Sequence, residues 1–95
     1  MPAVTFTLRW PDGREGRFYS PSTLIYQHLD NGARYRLDDF LARAEAALNA
    51  ASERVYQLKG FYCSAAMDTL GALRSEGGLY AGEAEVQVIA MHTGG

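Results

Sequence analysis

One side chain in this sequence has intrinsic covalent reactivity, the thiol of Cys63. It stands at the predicted start of a helix, where the helix dipole favours a thiolate. The same residue falls on an apolar stripe with Ala66 and Leu70. Free cysteine is among the most buried residue types, so the spacing favours a packed side chain over a nucleophile. A metal site would have to combine Cys63 with His28 and His92, and no two of the three have the close spacing of zinc motifs. Neither a metal nor a cofactor is expected. Asp38 and Asp39 stand where a helix begins and are read as its N-cap and first-turn charge, and Glu45 and Glu53 fall off that helix's apolar stripe. These acids are expected in solvent, and none makes the buried pair that acid and base catalysis requires.

The elements that must position these groups follow from periodicity. From Val4 to Trp10 every second residue is apolar, which is the pattern of a strand with one buried face. Pro11-Asp12-Gly13 turns the chain, and Glu15 to Ser20 returns as a second strand that brings Phe18 beside Phe6 and Leu8. Ser20-Pro21-Ser22 breaks that strand. Leu24 to Leu29 then reads as either extended or short helix, and a turn at Asp30-Asn31-Gly32 leads to a short strand at Arg34 to Leu37.

From Asp38 the period becomes helical, with Phe40, Leu41, Ala44, Leu48, Ala51, Val55 and Leu58 on one stripe and Lys59-Gly60 as the end. Cys63, Ala66, Leu70 and Leu73 mark a second, shorter helix, with Ser64 as a possible cap and Gly77-Gly78 as the stop. Glu85 to Met91 is rich in β-branched residues and is predicted to lie in the sheet beside the first strand. The expected fold is a single α+β domain over residues 1–95. It is a two-layer sandwich in which an N-terminal hairpin and a C-terminal strand form an antiparallel sheet, covered on one face by two consecutive helices.

Composition narrows the function classes. With 47% hydrophobic and 21% charged residues the chain is ordinary globular protein and not a disordered segment. A lone cysteine excludes an internal disulfide and suits a reducing compartment. No apolar run approaches the roughly 20 residues that cross a bilayer, and the first residues lack a signal-peptide pattern. The expected location is the cytoplasm, with no membrane partner. A net charge of -2 gives no overall field for nucleic acid, which is not expected as a partner either.

Charge is unevenly spread, however. Residues 1–36 hold five arginines against three acids, and residues 37–95 hold four bases against eight acids. A basic front on an acidic body can orient a protein partner or a second copy. Arg9, Arg14 and Arg17 with Trp10 and Tyr19 would suit nucleic acid by charge and stacking, but the acidic total argues against it. The stronger reading takes the uncovered sheet face, with Thr5, Thr7, Arg9, Arg17, Tyr19, Ile89 and Met91, as a protein contact.

Three resemblances bear on function. The tautomerase superfamily uses an N-terminal proline as its base, and Pro2 would occupy that place after removal of Met1, with Ala3 to Trp10 resembling the first strand. Those enzymes follow that strand with a helix, whereas Pro11-Asp12-Gly13 makes a hairpin here. Ubiquitin-like sulfur carriers begin with a hairpin and end in an unhindered diglycine, as Gly94-Gly95 does. Their fold needs further strands where residues 67–78 read as helix.

The third resemblance spans nearly the whole chain. Arg9-Trp10-Pro11-Asp12-Gly13, Tyr19-Ser20-Pro21-Ser22, Gly32 to Tyr35, Ala51-Ser52-Glu53-Arg54-Val55 and Gly60-Phe61-Tyr62-Cys63-Ser64-Ala65 follow one another as in the short bacterial nitrogen starvation response family. Members of that family are encoded in a gene cluster built around a nitrilase. The resemblance implies an accessory role in nitrogen metabolism, in nitrile or cyanide assimilation, with a protein partner from that cluster or a second copy of the chain. It brings no catalytic residues. The expectation is a non-enzymatic interaction protein. The alternatives are a carrier using Gly94-Gly95 or a small enzyme using Cys63 or Pro2.

Overall fold

A computed structural model describes residues 2–60 and 64–94. The elements run β1 (Ala3–Arg9), β2 (Glu15–Ser20), a 3-10 helix (Thr23–Gln27), β3 (Arg34–Arg36), α1 (Leu37–Lys59), α2 (Ser64–Gly77) and β4 (Glu85–Gly94). Every strand pairing is antiparallel, in the order β2-β1-β4-β3. Both helices pack on one side of this sheet, so the α+β sandwich is as expected, and β4 does lie beside β1.

Alternation places Val4, Phe6, Leu8 and Trp10 under the helices, with Phe18 9% exposed beside them. The Phe6 and Phe18 rings lie 5.8 Å apart, and Trp10 meets Phe18 edge-on and stacks on Tyr80 at 5.8 Å. From above, α1 contributes Phe40, Ala44, Ala47 and Leu48, and α2 contributes Ala66, Leu70 and Leu73. The alanines matter because a small side chain lets helix and sheet approach closely. Burial of each large aliphatic or aromatic side chain contributes about 1.5–3 kcal/mol. The segment with two readings, Leu24 to Leu29, is a 3-10 turn capped by Ser22, whose Oγ accepts from the Leu24 N–H at 3.2 Å. It drives Ile25 and Leu29 into the core.

Two details of α1 differ from the periodic reading. The helix starts at Leu37, and Asp38 is not its N-cap. The free N–H groups of Leu37 and Asp38 are taken by the carbonyls of Ala84 (2.8 Å) and Gly82 (3.0 Å), and the Asp38 carboxylate accepts from Arg36 at 3.1 Å and from the N–H of the next residue, Asp39, at 2.7 Å. Backbone from the loop before β4 thus does the capping that a side chain usually does. Leu58, predicted on the buried stripe, is 59% exposed. It lines a groove with Pro2, one residue before β1 begins, so no strand lies beneath it. The helix ends as expected, at Gly60 with φ of 77°, a conformation glycine adopts without a Cβ penalty.

Candidate interaction surface

On the face away from the helices the ladder sets out residues in rows. Tyr19, Thr5 and His92 form one row, and Arg17, Thr7 and Ala90 the next. Glu15, Arg9, Gln87 and Arg34 form a third, and Arg36 with Glu85 completes the β3 end. Four arginines against two glutamates make this face basic on a chain of net charge -2. Arg9 is paired with Glu15 at 3.1 Å and Arg36 with Asp38. Arg17 and Arg34 have no hydrogen bond or ion pair among the described residues. A shallow depression of 190 Å³ opens between Arg9, Pro11, Arg34, Glu85 and Gln87.

The predicted contact set is divided by the structure. Thr5, Thr7, Arg9, Arg17 and Tyr19 share the outer face, with Tyr19 43% exposed, and Ile89 is half-buried. Met91 does not join them, being only 8% exposed and part of the core. The reason is a β-bulge: Leu8 pairs with Val88 but Thr7 pairs with Ala90, so Ile89 is an extra residue and the strand's phase shifts by one beyond it. Val88 and Met91 therefore both point inward, three residues apart, and Ala90 and His92 take the outer face.

The basic aromatic set is likewise broken up. Trp10 is 3% exposed on the helix side, with its Nε1 buried and unpartnered among the described residues. Arg14 turns to the hairpin tip, where it donates to the Tyr80 hydroxyl (2.7 Å) and the Asp12 carboxylate (2.9 Å). The Asp12 carboxyl is held below its usual range, chiefly by the N–H of Arg14, and the Arg14 guanidinium is raised, chiefly by the Tyr80 hydroxyl.

Cys63 and Gly95 lie outside the described residues. Gly94 sits within β4 and pairs with Ala3. Pro2 is exposed at a groove of 540 Å³ with Ser22, Thr23, Leu24, Gln27, Arg54 and Leu58. His28 is the C-cap of the 3-10 helix, whereas His92 stands opposite Thr5 in the sheet. No metal-binding group of three His, Cys, Asp or Glu side chains occurs among the described residues, and no described helix is long and apolar enough to cross a membrane. Sequence reasoning missed Arg34, Ala90 and His92 as outer-face residues. Alternation in the strand predicted at Arg34 to Leu37 could have found Arg34, but the other two depend on the bulge.

Comparison with curated proteins and with solved structures found no match. Residues 5–91 match the family described as nitrogen starvation-induced protein NitG. That span contains the hairpin from Thr5, both helices and β4 through Met91, and it leaves out Pro2 and the terminal glycines. The chain therefore belongs to the nitrogen starvation-induced NitG family.

Proposed function

We propose that this protein is a non-enzymatic accessory component of the nitrogen starvation response, acting in the cytoplasm by holding a protein partner on its outer sheet face. The uncovered face carries the reading. A sheet buried on one side leaves its other side to water or to another chain, and this one joins an exposed Tyr19 and a half-buried Ile89 to two arginines that are unpaired among the described residues. Apolar area at the centre with arginine around it is the composition of a binding hot spot and its rim. An acidic partner surface suits it best. That the partner comes from the nitrilase gene cluster and serves nitrile or cyanide assimilation follows the resemblance alone.

The double variant Tyr19→Ala, Ile89→Asp tests this. It should fold as the parent does and lose the partner that the parent captures from nitrogen-starved cells. Retention of the same partner by the folded variant would show that the face is only solvated. A carrier role would first require Gly94 to leave its pairing with Ala3. Intact-mass analysis of protein from the native host would reveal a terminal thiocarboxylate as a sulfur in place of an oxygen.

A further inference from the structure

An antiparallel ladder points the N–H and C=O groups of successive residues to alternate sides. On β1 the even-numbered residues face β2, since Trp10 donates to the Arg14 carbonyl (2.7 Å) and accepts from the Gly13 N–H (2.9 Å) across the hairpin. Thr7, Thr5 and Ala3 therefore face β4, where they meet Ala90, His92 and Gly94. The remaining residues of that half-strand, Met91 and Thr93, direct their backbone groups away from the sheet. Before the bulge the outward residue is Val88, and it is satisfied: its N–H reaches the Ala33 carbonyl at 2.9 Å and its carbonyl accepts from Gly32 at 2.7 Å. At Gly32 the chain turns off, so nothing described pairs with the outward groups of Met91 and Thr93.

The opposite edge of the sheet is guarded. On β2 the outward carbonyl of Tyr19 accepts from Thr69 Oγ1 on α2 at 2.7 Å, the strand carries Glu15 and Arg17, and Pro21 follows its end. Charge, proline and a covering group are the usual ways of keeping an edge from pairing. Residues 90–94, Ala-Met-His-Thr-Gly, carry no Asp, Glu, Lys, Arg or proline, and the one described group that reaches them from outside the sheet, the Tyr26 hydroxyl, meets the Thr93 side chain and not the backbone.

We infer that two copies of this chain pair β4 with β4 in antiparallel fashion about a two-fold axis at His92, joining two four-stranded sheets edge to edge. In that register Met91 lies opposite the partner's Thr93, and each such pair exchanges two N–H···O bonds between groups that otherwise lack partners. Ala90 lies opposite the partner's Gly94, and His92 opposite its own copy. Directly opposed residues share a face, so both sheets keep their helices on the same side. A second copy is the occupant that satisfies this edge on both chains at once. The segment contains no Asp, Glu, Lys or Arg, so the axis brings no arginine against arginine. Tyr26, 38% exposed and hydrogen bonded to Thr93 Oγ1 at 2.7 Å, adds an aromatic ring beside the seam from each copy. Val88 limits the pairing, because its outward groups are already engaged.

The experiment is molar mass by sedimentation and light scattering over a concentration series, on the full chain and three variants. The parent should approach twice the chain mass as concentration rises. Thr93→Pro removes an outward N–H, which an edge strand tolerates without losing its fold, and should weaken dimerisation roughly tenfold or more. His92→Lys sets like charges face to face and should also weaken it. Tyr19→Ala, Ile89→Asp should leave the dimer intact, which separates this edge from the partner-binding face. Circular dichroism melts establish that each variant is folded. A parent of single-chain mass at every concentration overturns the inference, as does a dimer that survives both edge variants or is lost only in the outer-face variant.

Discussion

β4 is one strand with two unlike halves. Glu85 to Val88 has β3 and the turn before it along one side, with Gln87 and Val88 also paired to β1 on the other and Val86 and Val88 buried. Ala90 to Gly94 keeps β1 on one side and has an open edge on the other. Ile89, the bulge, separates them and reverses which residues face the helices. The two halves adjoin in one continuous strand, so their difference teaches that phase and edge satisfaction come from the neighbouring strands.

The strongest way to break this comparison is charge placed on either side of the bulge. Met91→Asp should unfold the protein or cost several kcal/mol, because it buries a carboxylate without a partner. Ile89→Asp should cost about 1 kcal/mol or less. Chemical denaturation of the two variants decides it, and equal effects would mean that the strand keeps one phase throughout.

Above both halves lies the same core. Leu48→Ala on α1 should cost about 2–5 kcal/mol by leaving a cavity against the sheet. A denaturation midpoint that moves only as far as a surface substitution moves it would remove Leu48 from that core. The edges are contrasted more gently by Thr69→Val, which takes away the donor to the Tyr19 carbonyl. A loss of about 1 kcal/mol is expected, together with faster hydrogen exchange along β2 but not along residues 90–94.

Smallest should be the effect of Arg17→Ala on stability, within about 0.5 kcal/mol, since Arg17 is exposed on the outer face and unpaired. A clear loss of partner binding without a loss of stability would mark it as an interface residue. Acid should act on the hairpin tip in the same minor way. The Asp12 carboxyl is lowered in the folded state, so its contribution is present above the unfolded value near 3.9 and is lost as pH falls through the folded one. NMR titration of Asp12 checks the cause: Arg14→Ala keeps the backbone N–H, so most of the lowering should remain in that variant.

Much of the architecture was legible because its causes are local. Alternation in Val4 to Trp10 fixes which side of β1 is buried, Pro11-Asp12-Gly13 makes the hairpin, and the three-to-four spacing from Phe40 to Val55 makes the packed face of α1. The candidate surface was legible on β1 and β2 for the same reason, and on β4 only as far as Ile89. Trp10 follows its own alternation into the core, which the basic aromatic reading overlooked.

Elements, turns and the apolar stripes were determined by the sequence itself, since each depends on residues within a few positions of one another. Tertiary structure decided three further matters. The bulge at Ile89 sends Met91 inward because β4 must hold register with a regular β1 on both sides of it. The loop carbonyls of Gly82 and Ala84 displace Asp38 as the cap of α1. The shortness of β3 leaves Met91 and Thr93 with unmet backbone groups. Each is a contact between segments far apart in the chain, and no local period records where a distant strand will end.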